Sequence, residues 1–221
     1  MAKKSPLAVK LDEVRERIAA ACAKAKREAS DVTLIAVTKQ RAIAEIEPLL
    51  AAGITDFGEN RVAEAAQKWP ALRDAYPGVK LHMIGQLQSN KAAEAVALFD
   101  VVHSLDRFSL LDALVAAGEK AGRFPAAYVQ VNIGAEEQKG GVGIEELPAL
   151  LDRVRASPLP LAGLMAMPPL DQQPGPYFAL LADLARRHGV TGLSMGMSGD
   201  FPTAVMLGAT AVRIGSALFE D

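Results

Sequence analysis

Short apolar runs alternate with longer amphipathic stretches along most of the chain. The runs are four to eight residues long and several are rich in valine and isoleucine, as is typical of strands buried on both faces of a parallel sheet. Between them, apolar residues recur at spacings of three and four, which predicts helices with one buried face. The predicted strands are residues 32–37, 54–57, 79–85, 100–104, 126–133, 160–165, 192–195 and 211–214.

This order of elements predicts an α/β fold. Eight strands joined by right-handed helical crossovers close most readily into a (β/α)8 TIM barrel, with an open doubly wound sheet as the alternative. Seven helical stretches lie between the strands, and seven residues follow Ile214, too few for an eighth helix of ordinary length. A further helix is predicted from about Leu11 to Glu28. We expect it to close the barrel exterior between strands eight and one.

Composition narrows the class of protein. Half of the 221 residues are hydrophobic, and no linker rich in proline, glycine or serine divides the chain, so we expect a single domain over residues 1–221. The 24 Lys and Arg residues against 26 Asp and Glu give a formal charge of −2, which argues against nucleic acid as a partner.

The compartment is predicted from two features of the sequence. The single cysteine, Cys22, cannot form an internal disulfide, and the basic N-terminal residues are not followed by an uninterrupted apolar stretch. Both features favour a cytoplasmic protein that does not contact a membrane. Since no apolar surface patch is evident, we expect a monomer.

Lys39 is the first candidate for chemistry, because active sites of βα barrels lie at the carboxyl ends of the strands. It follows strand one and has the same strand parity as Ile35 and Val37, so its side chain is expected to point into the barrel mouth. Desolvation there would favour the neutral amine that a Schiff base needs. The alternative is a solvated lysine without a chemical role.

Arg213 is the second candidate. Its neighbours Val212 and Ile214 suit packing against helices, which leaves Arg213 pointing into the barrel. A buried arginine must be paired. Its partner is either a neighbouring carboxylate or a bound ligand, and the spacing leaves both possibilities open.

The loops after strands seven and eight are rich in small residues. These two loops form the commonest phosphate site of βα barrels, and small residues let backbone N–H groups approach a ligand closely. The alternative is that they serve only as turn formers. The residues concerned are Gly196, Ser198, Gly199, Gly215 and Ser216.

The three histidines do not predict a metal site. His82, His103 and His188 are scattered without ligand spacing or companion cysteines, so no metal is expected. His82 is expected to pack within its strand. The chain also lacks the Walker, GxGxxG and GxSxG motifs of common phosphate-binding and hydrolase sites.

Seven segments of the chain form a distinctive set, which runs from about Val32 almost to the C-terminus. The segments are AVTKQ (36–40), FGENRVAEA (57–65), HMIGQLQSNK (82–91), VNIGAEEQKGGV (131–142), GLMAMPP (163–169), LSMGMSGDF (193–201) and VRIGSALF (212–219). In sequence and in order, these segments resemble the pyridoxal phosphate homeostasis protein family, also called the YggS or PROSC family.

The resemblance implies a barrel like the N-terminal domain of alanine racemase, with pyridoxal 5′-phosphate held as a Schiff base on Lys39. It also implies that Arg213 is the partner of the pyridine nitrogen and that Asn60 faces the cofactor. The phosphate cradle implied by the resemblance consists of Ser198, Gly215 and Ser216.

The function implied by the resemblance is a carrier that binds, buffers and hands on the cofactor without significant catalysis. Other B6 vitamers and transient contact with apoenzymes that depend on pyridoxal phosphate are then also expected. One alternative is an amino-acid racemase of the same fold, which needs a second acid/base group opposite Lys39. The tyrosines, Tyr76, Tyr128 and Tyr177, are not predicted to reach the mouth. Another alternative is a barrel enzyme that binds a phosphorylated metabolite through Lys39.

Overall fold

A closed barrel of eight parallel strands forms the centre of the protein. The computed structural model describes residues 6–136 and 138–220. Each strand pairs with the next, and β1 pairs with β8 from Thr33↔Ala211 to Ala36↔Ile214, which confirms the TIM barrel and excludes the open sheet. The strands are β1 (Thr33–Val37), β2 (Asp56–Glu59), β3 (Lys80–Met83), β4 (Val101–Leu105), β5 (Ala126–Gln130), β6 (Leu161–Met165), β7 (Leu193–Met197) and β8 (Ala211–Ile214).

Helices surround the barrel and connect its strands. Seven of them, α2 to α8, lie between successive strands in the described part of the chain, as predicted. A single turn, α9, follows β8, and short 3₁₀ turns span Ala29–Asp31 and Ser89–Lys91. The helices are α1 (Pro6–Lys24), α2 (Ile43–Ala51), α3 (Val62–Ala75), α4 (Ala92–Leu98), α5 (Phe108–Ala121), α6 (Leu147–Arg155), α7 (Pro174–Arg187), α8 (Phe201–Met206) and α9 (Ser216–Phe219).

The α1 helix packs where the sequence predicts it. It contacts α8, α9 and α2, the helices that flank the seam between β8 and β1. The expected end at Glu28 is wrong, because the helix ends at Lys24 and Lys26 adopts a left-handed conformation with φ of 56°. Its buried face consists of Leu11, Val14, Ile18, Ala21 and Cys22.

The segment after α1 is also tied to the barrel. The Arg27 guanidinium donates hydrogen bonds to the carbonyl oxygens of Val205 (2.9 Å) and Ala209 (2.8 Å), on either side of the turn between α8 and β8. These bonds satisfy backbone acceptors at the end of α8.

Several strand ends differ from the prediction by two or three residues. β7 continues through Gly196 to Met197, two residues beyond the predicted end, because backbone pairing needs no apolar side chain. The assignment of residues 1–221 to one domain stays a prediction, since residues 1–5, 137 and 221 lie outside the described residues. Within the described part, no helix is long and apolar enough to cross a membrane.

We predict that truncating the buried face of α1 destabilises the whole barrel. Leu11 is 1 % exposed, so Leu11→Ala should lower the free energy of unfolding by about 2–5 kcal/mol in urea denaturation. Val9 on the same helix is 43 % exposed, and Val9→Ala should change it by less than about 0.5 kcal/mol. Equal, small effects of the two substitutions would show that α1 does not unfold together with the barrel.

Candidate functional site

Three of the predicted site residues, Lys39, Gly215 and Ser216, meet at the carboxyl ends of β1 and β8. β1 lies between β2 and β8, with Val37 paired to Gly58 and Ile35 paired to Arg213. Directly after β8, Gly215 lies next to Val37 at the end of β1. A cavity of about 260 Å³ opens here. Its lining residues are Val37, Lys39, Gln40, Arg41, Gly215, Ser216, Phe219 and Glu220.

Lys39 lies in a turn directly after β1 and shares this cavity with Gly215 and Ser216. The expectation that Lys39 is desolvated is wrong, because its side chain is exposed at the open end of the barrel. The structure therefore places the lysine at the mouth, as predicted, but in contact with solvent. Asn60 is half-buried at the end of β2.

A buried cluster of charges holds the turn that carries this lysine. The Lys68 ammonium group donates to the Thr38 carbonyl oxygen (2.9 Å) and forms ion pairs with Glu59 (2.7 Å) and Glu64 (2.8 Å). Glu59 also accepts a hydrogen bond from the Thr38 hydroxyl, and Glu64 accepts one from the Gln40 backbone N–H. Gln40 has a φ of 60°, so these bonds stabilise an uncommon backbone conformation.

The sequence reasoning missed this cluster. Glu64 and Lys68 are one helical turn apart on α3, a spacing that favours an ion pair. Nothing local indicated that Lys68 reaches back to the turn after β1, because that contact depends on how α3 packs against the barrel.

Arg213 is buried inside the barrel, with 4 % of its surface exposed. Its guanidinium donates to the Ser194 carbonyl oxygen (2.9 Å), the Ser194 hydroxyl oxygen and the Ala166 carbonyl oxygen (3.2 Å). None of these partners in the described part of the chain is a carboxylate, so the carboxylate alternative is wrong. The three bonds leave two of the five guanidinium N–H groups for other acceptors.

Arg213 stays charged at neutral pH despite its burial. Desolvation lowers its pKa to about 10, while the nearby Asp200 and Tyr128 act in the opposite direction. A buried cation with unused donors is a binding group for a hydrogen-bond acceptor.

The loops after β7 and β8 converge on the hydroxyl group of Ser198. Its Oγ accepts hydrogen bonds from the backbone N–H groups of Gly215 (3.2 Å) and Ala217 (3.1 Å), which leaves its own O–H to donate. Ser216 is exposed at the first turn of α9. Gly196 lies within β7, where its φ is 94° and a Cβ would lie 2.6 Å from the Cβ of Ala204, so it is not a turn former. Gly199 faces open space.

Two histidines lie inside the barrel and extend the contacts of Arg213. His103 Nδ1 is 2.8 Å from Ser194 Oγ, and His103 Nε2 is 2.9 Å from His82 Nδ1. His82 Nε2 is in turn 3.0 Å from Asp56 Oδ1. The sequence correctly predicted a buried His82 but missed this chain of hydrogen bonds. Polar residues at inward-facing strand positions were the signal that could have revealed it.

Asn60, Ser198 and Arg213 do not line the cavity, and neither do His188 and the tyrosines. His188 ends α7, Tyr76 follows α3, and Tyr177 lies within α7. Tyr128 lies inside the barrel, stacked on the His103 ring with centroids 4.5 Å apart. Within the described residues, no group of three or more His, Cys, Asp or Glu side chains is arranged to hold a metal ion.

The closed barrel, with a lysine after β1 and donor groups in the loops after β7 and β8, defines the class of barrel found in alanine racemases. The family model described as "Alanine racemase, N-terminal domain" matches residues 9–221. Within this class, the chain belongs to the pyridoxal phosphate homeostasis protein family, as predicted. A pyridoxal phosphate homeostasis protein from Synechocystis sp. is 40 % identical over 200 residues, covering 86 % of this chain and 91 % of the relative.

Solved structures agree with this assignment. PipY of Synechococcus elongatus, with pyridoxal phosphate bound, matches with a TM-score of 0.80 and 36 % identity over 93 % of this chain and 99 % of PipY. An alanine racemase from Acinetobacter baumannii matches with a TM-score of 0.67 and 14 % identity, over 93 % of this chain and 61 % of the racemase. The second comparison shows a shared fold alone.

We predict that Lys68 stabilises the protein far more than an exposed lysine does. Lys68→Met leaves Glu59 buried without its cation, which should lower the free energy of unfolding by about 3–5 kcal/mol in urea denaturation. Lys91 forms an exposed pair with Glu94, so Lys91→Met should cost at most about 1 kcal/mol. If the two variants were equally stable, the buried cluster would not hold the turn after β1.

Proposed function

We propose that this protein binds pyridoxal 5′-phosphate at the barrel mouth through Lys39 and releases it to apoenzymes, so that it buffers the cofactor. The observation that carries the proposal is the shared cavity of Lys39, Gly215 and Ser216, near a buried Arg213 with unused donors. Membership of the pyridoxal phosphate homeostasis protein family and the cofactor bound in PipY support it.

The loops after β7 and β8 suit the phosphate group. The Ser198 hydroxyl has a proton to donate, and the exposed Ser216 adds a second hydroxyl at the cavity. The N–H groups of Gly215 and Ala217 both donate to Ser198 Oγ and so hold that hydroxyl in place. The two hydroxyls suit a phosphate, because its oxygens accept hydrogen bonds from such donors.

Arg213 and Asn60 suit the ring of the cofactor. When bound, the cofactor supplies an aldehyde carbon that reacts with amines and a ring that withdraws electrons. We assign Arg213 to the ring nitrogen, since a guanidinium only donates and so disfavours protonation of that nitrogen. Asn60, directly after β2, is assigned to contact with the cofactor. An unprotonated ring withdraws electrons more weakly than a protonated one, but Arg213 alone does not separate a carrier from a racemase.

A carrier without significant turnover fits the cavity better than a racemase does. Racemisation needs acid/base groups on both faces of the cofactor. Besides Lys39, the ionisable side chains that line the cavity are Arg41 and Glu220, which pair with each other at 3.4 Å. Tyr128 stacks on His103 inside the barrel. We further propose that the protein exchanges the cofactor in the cytoplasm and acts as a monomer. It is also expected to accept other B6 vitamers.

We predict that the two serines bind the phosphate group. Each hydrogen bond to a charged group is worth about 1.5–3 kcal/mol, so Ser198→Ala together with Ser216→Ala should weaken pyridoxal phosphate binding about a hundredfold or more in equilibrium dialysis. Pyridoxal, which lacks the phosphate, should bind both proteins equally. Ser157→Ala, in the turn after α6, is the matched control. Unchanged affinity for the phosphorylated form would refute the assignment.

We predict that Lys39 is the covalent attachment point and that the attached cofactor is transferable. Borohydride reduction followed by peptide mapping should label Lys39, and Lys39→Ala should abolish both the label and the absorption band of the bound cofactor. Lys91→Ala, an exposed lysine, should retain both. A label on Lys91 or Lys139 in the unsubstituted protein would disprove the assignment.

The loaded protein should then restore activity to an apoenzyme that needs pyridoxal phosphate, whereas Lys39→Ala treated in the same way should not. With L- or D-amino acids in deuterated water, no α-deuteration is expected on the timescale of this transfer. Rapid α-deuteration with loss of chirality would replace the carrier with a racemase.

A further inference from the structure

A continuous chain of hydrogen bonds crosses the inside of the barrel from β8 to β2. It runs from Arg213 through Ser194, His103 and His82 to Asp56, with links of 2.8 to 3.0 Å from Ser194 onward. His103 and Ser194 are fully buried, and His82 is 5 % exposed. The function proposed above uses only Arg213, so the other four groups are left without a role.

The donor and the acceptor of each hydrogen bond in this chain follow from the residues at its two ends, Arg213 and Asp56. Arg213 can only donate, so the Oγ of Ser194 accepts and its O–H is free to donate to His103 Nδ1. His103 Nε2 then carries a proton and donates to His82 Nδ1. His82 Nε2 donates in turn to Asp56. Both imidazoles are neutral in this arrangement, and each carries its proton on Nε2.

The Asp56 end is a suitable acceptor. Burial raises the pKa of Asp56, whereas hydrogen bonds from His82 and Thr55 and nearby positive charge lower it, and the net pKa is lowered. Asp56 also borders a cavity of about 530 Å³ at the amino end of the barrel. The chain therefore ends on a carboxylate at neutral pH.

The reverse direction is unfavourable. It requires a charged His82 that donates to His103, and a His103 that donates to Ser194 Oγ. Ser194 would then receive two donors, while its own O–H would lose the acceptor His103 Nδ1 in a buried site. Burial holds the pKa of His103 well below its usual value, so this ring is neutral in either direction.

We propose that His103 and Ser194 are positioning residues for Arg213: they fix the guanidinium through a one-way hydrogen-bond chain, so that its unused N–H groups face the cofactor ring. This inference rests on the proposed function, in which Arg213 contacts the ring nitrogen. Without His103 the Ser194 hydroxyl has no acceptor, and it can rotate away from Arg213.

The first test needs no cofactor. Nitrogen-15 NMR of the histidine rings of the full chain at neutral pH should show His82 and His103 as neutral rings protonated on Nε2. The His103 signals are assigned by their loss in His103→Asn, and His188 at the end of α7 serves as the reference ring. A proton on Nδ1 of either ring, or a charged His82, would overturn the chain direction and with it the proposal.

The second test separates hydrogen bonding from packing. His103→Asn keeps an acceptor near the Nδ1 position, whereas His103→Phe keeps the ring stacked on Tyr128 but has no acceptor. We expect His103→Phe to raise the dissociation constant for pyridoxal phosphate about fivefold or more, and His103→Asn to raise it less than about twofold. His188→Asn is the control and should bind as the unsubstituted protein does. The opposite order of the two His103 variants would show that packing alone matters.

The third test asks whether His103 acts through Arg213. In an Arg213→Met background, His103→Phe should weaken binding no further, because the group that it positions is gone. Additive losses would refute the positioning role, even if both variants fold. If the unsubstituted protein bound no pyridoxal phosphate, the proposed function would fail, whereas the NMR result would still decide the direction of the chain.

Discussion

The pairing of β1 with β8 is the contact on which the rest of the structure depends. It joins the first and last strands in register from Thr33↔Ala211 to Ala36↔Ile214. If the strands kept this order without closing, β1 and β8 would be the two edges of the sheet, and Lys39 would lie far from Gly215 and Ser216. Closure therefore creates the candidate site as well as the barrel. The α1 helix covers the outside of this seam, where two adjoining strands would otherwise expose apolar surface.

Closure also encloses an interior that this chain fills partly with polar side chains. A buried cation is expensive unless its hydrogen bonds are made. Arg213 makes three of them to Ser194 and Ala166, and the histidines behind Ser194 give that serine an acceptor for its own proton. Apolar side chains of the same volume would cost less free energy to bury. The polar filling keeps a charged donor near the mouth, which is useful only where an acceptor is to be bound.

The sequence correctly predicted those features of the fold that depend on the local pattern of apolar residues. All eight strands, the seven helices between them and the position of α1 follow from apolar periodicity and element order, and these are confirmed. The alternation of side chains along β8 also predicted that Arg213 points into the barrel, where it is buried. The exposure of Lys39 was missed, because it depends on how open the mouth is. Lys68 and the histidine chain were missed because their partners lie on other strands and helices, where a single sequence carries no pairing information.

At the candidate site a fixed backbone carries an exposed side chain, and this combination fits a carrier. The turn after β1 is fixed from behind by the buried Lys68 cluster, while the Lys39 side chain itself stays in solvent. The fixed backbone determines the position of the Lys39 amine, but it does not enclose a cofactor that is bound there. Catalysis on this kind of cofactor gains from excluding water, whereas release requires access. A lysine anchored by its main chain and open at its amine favours exchange over turnover.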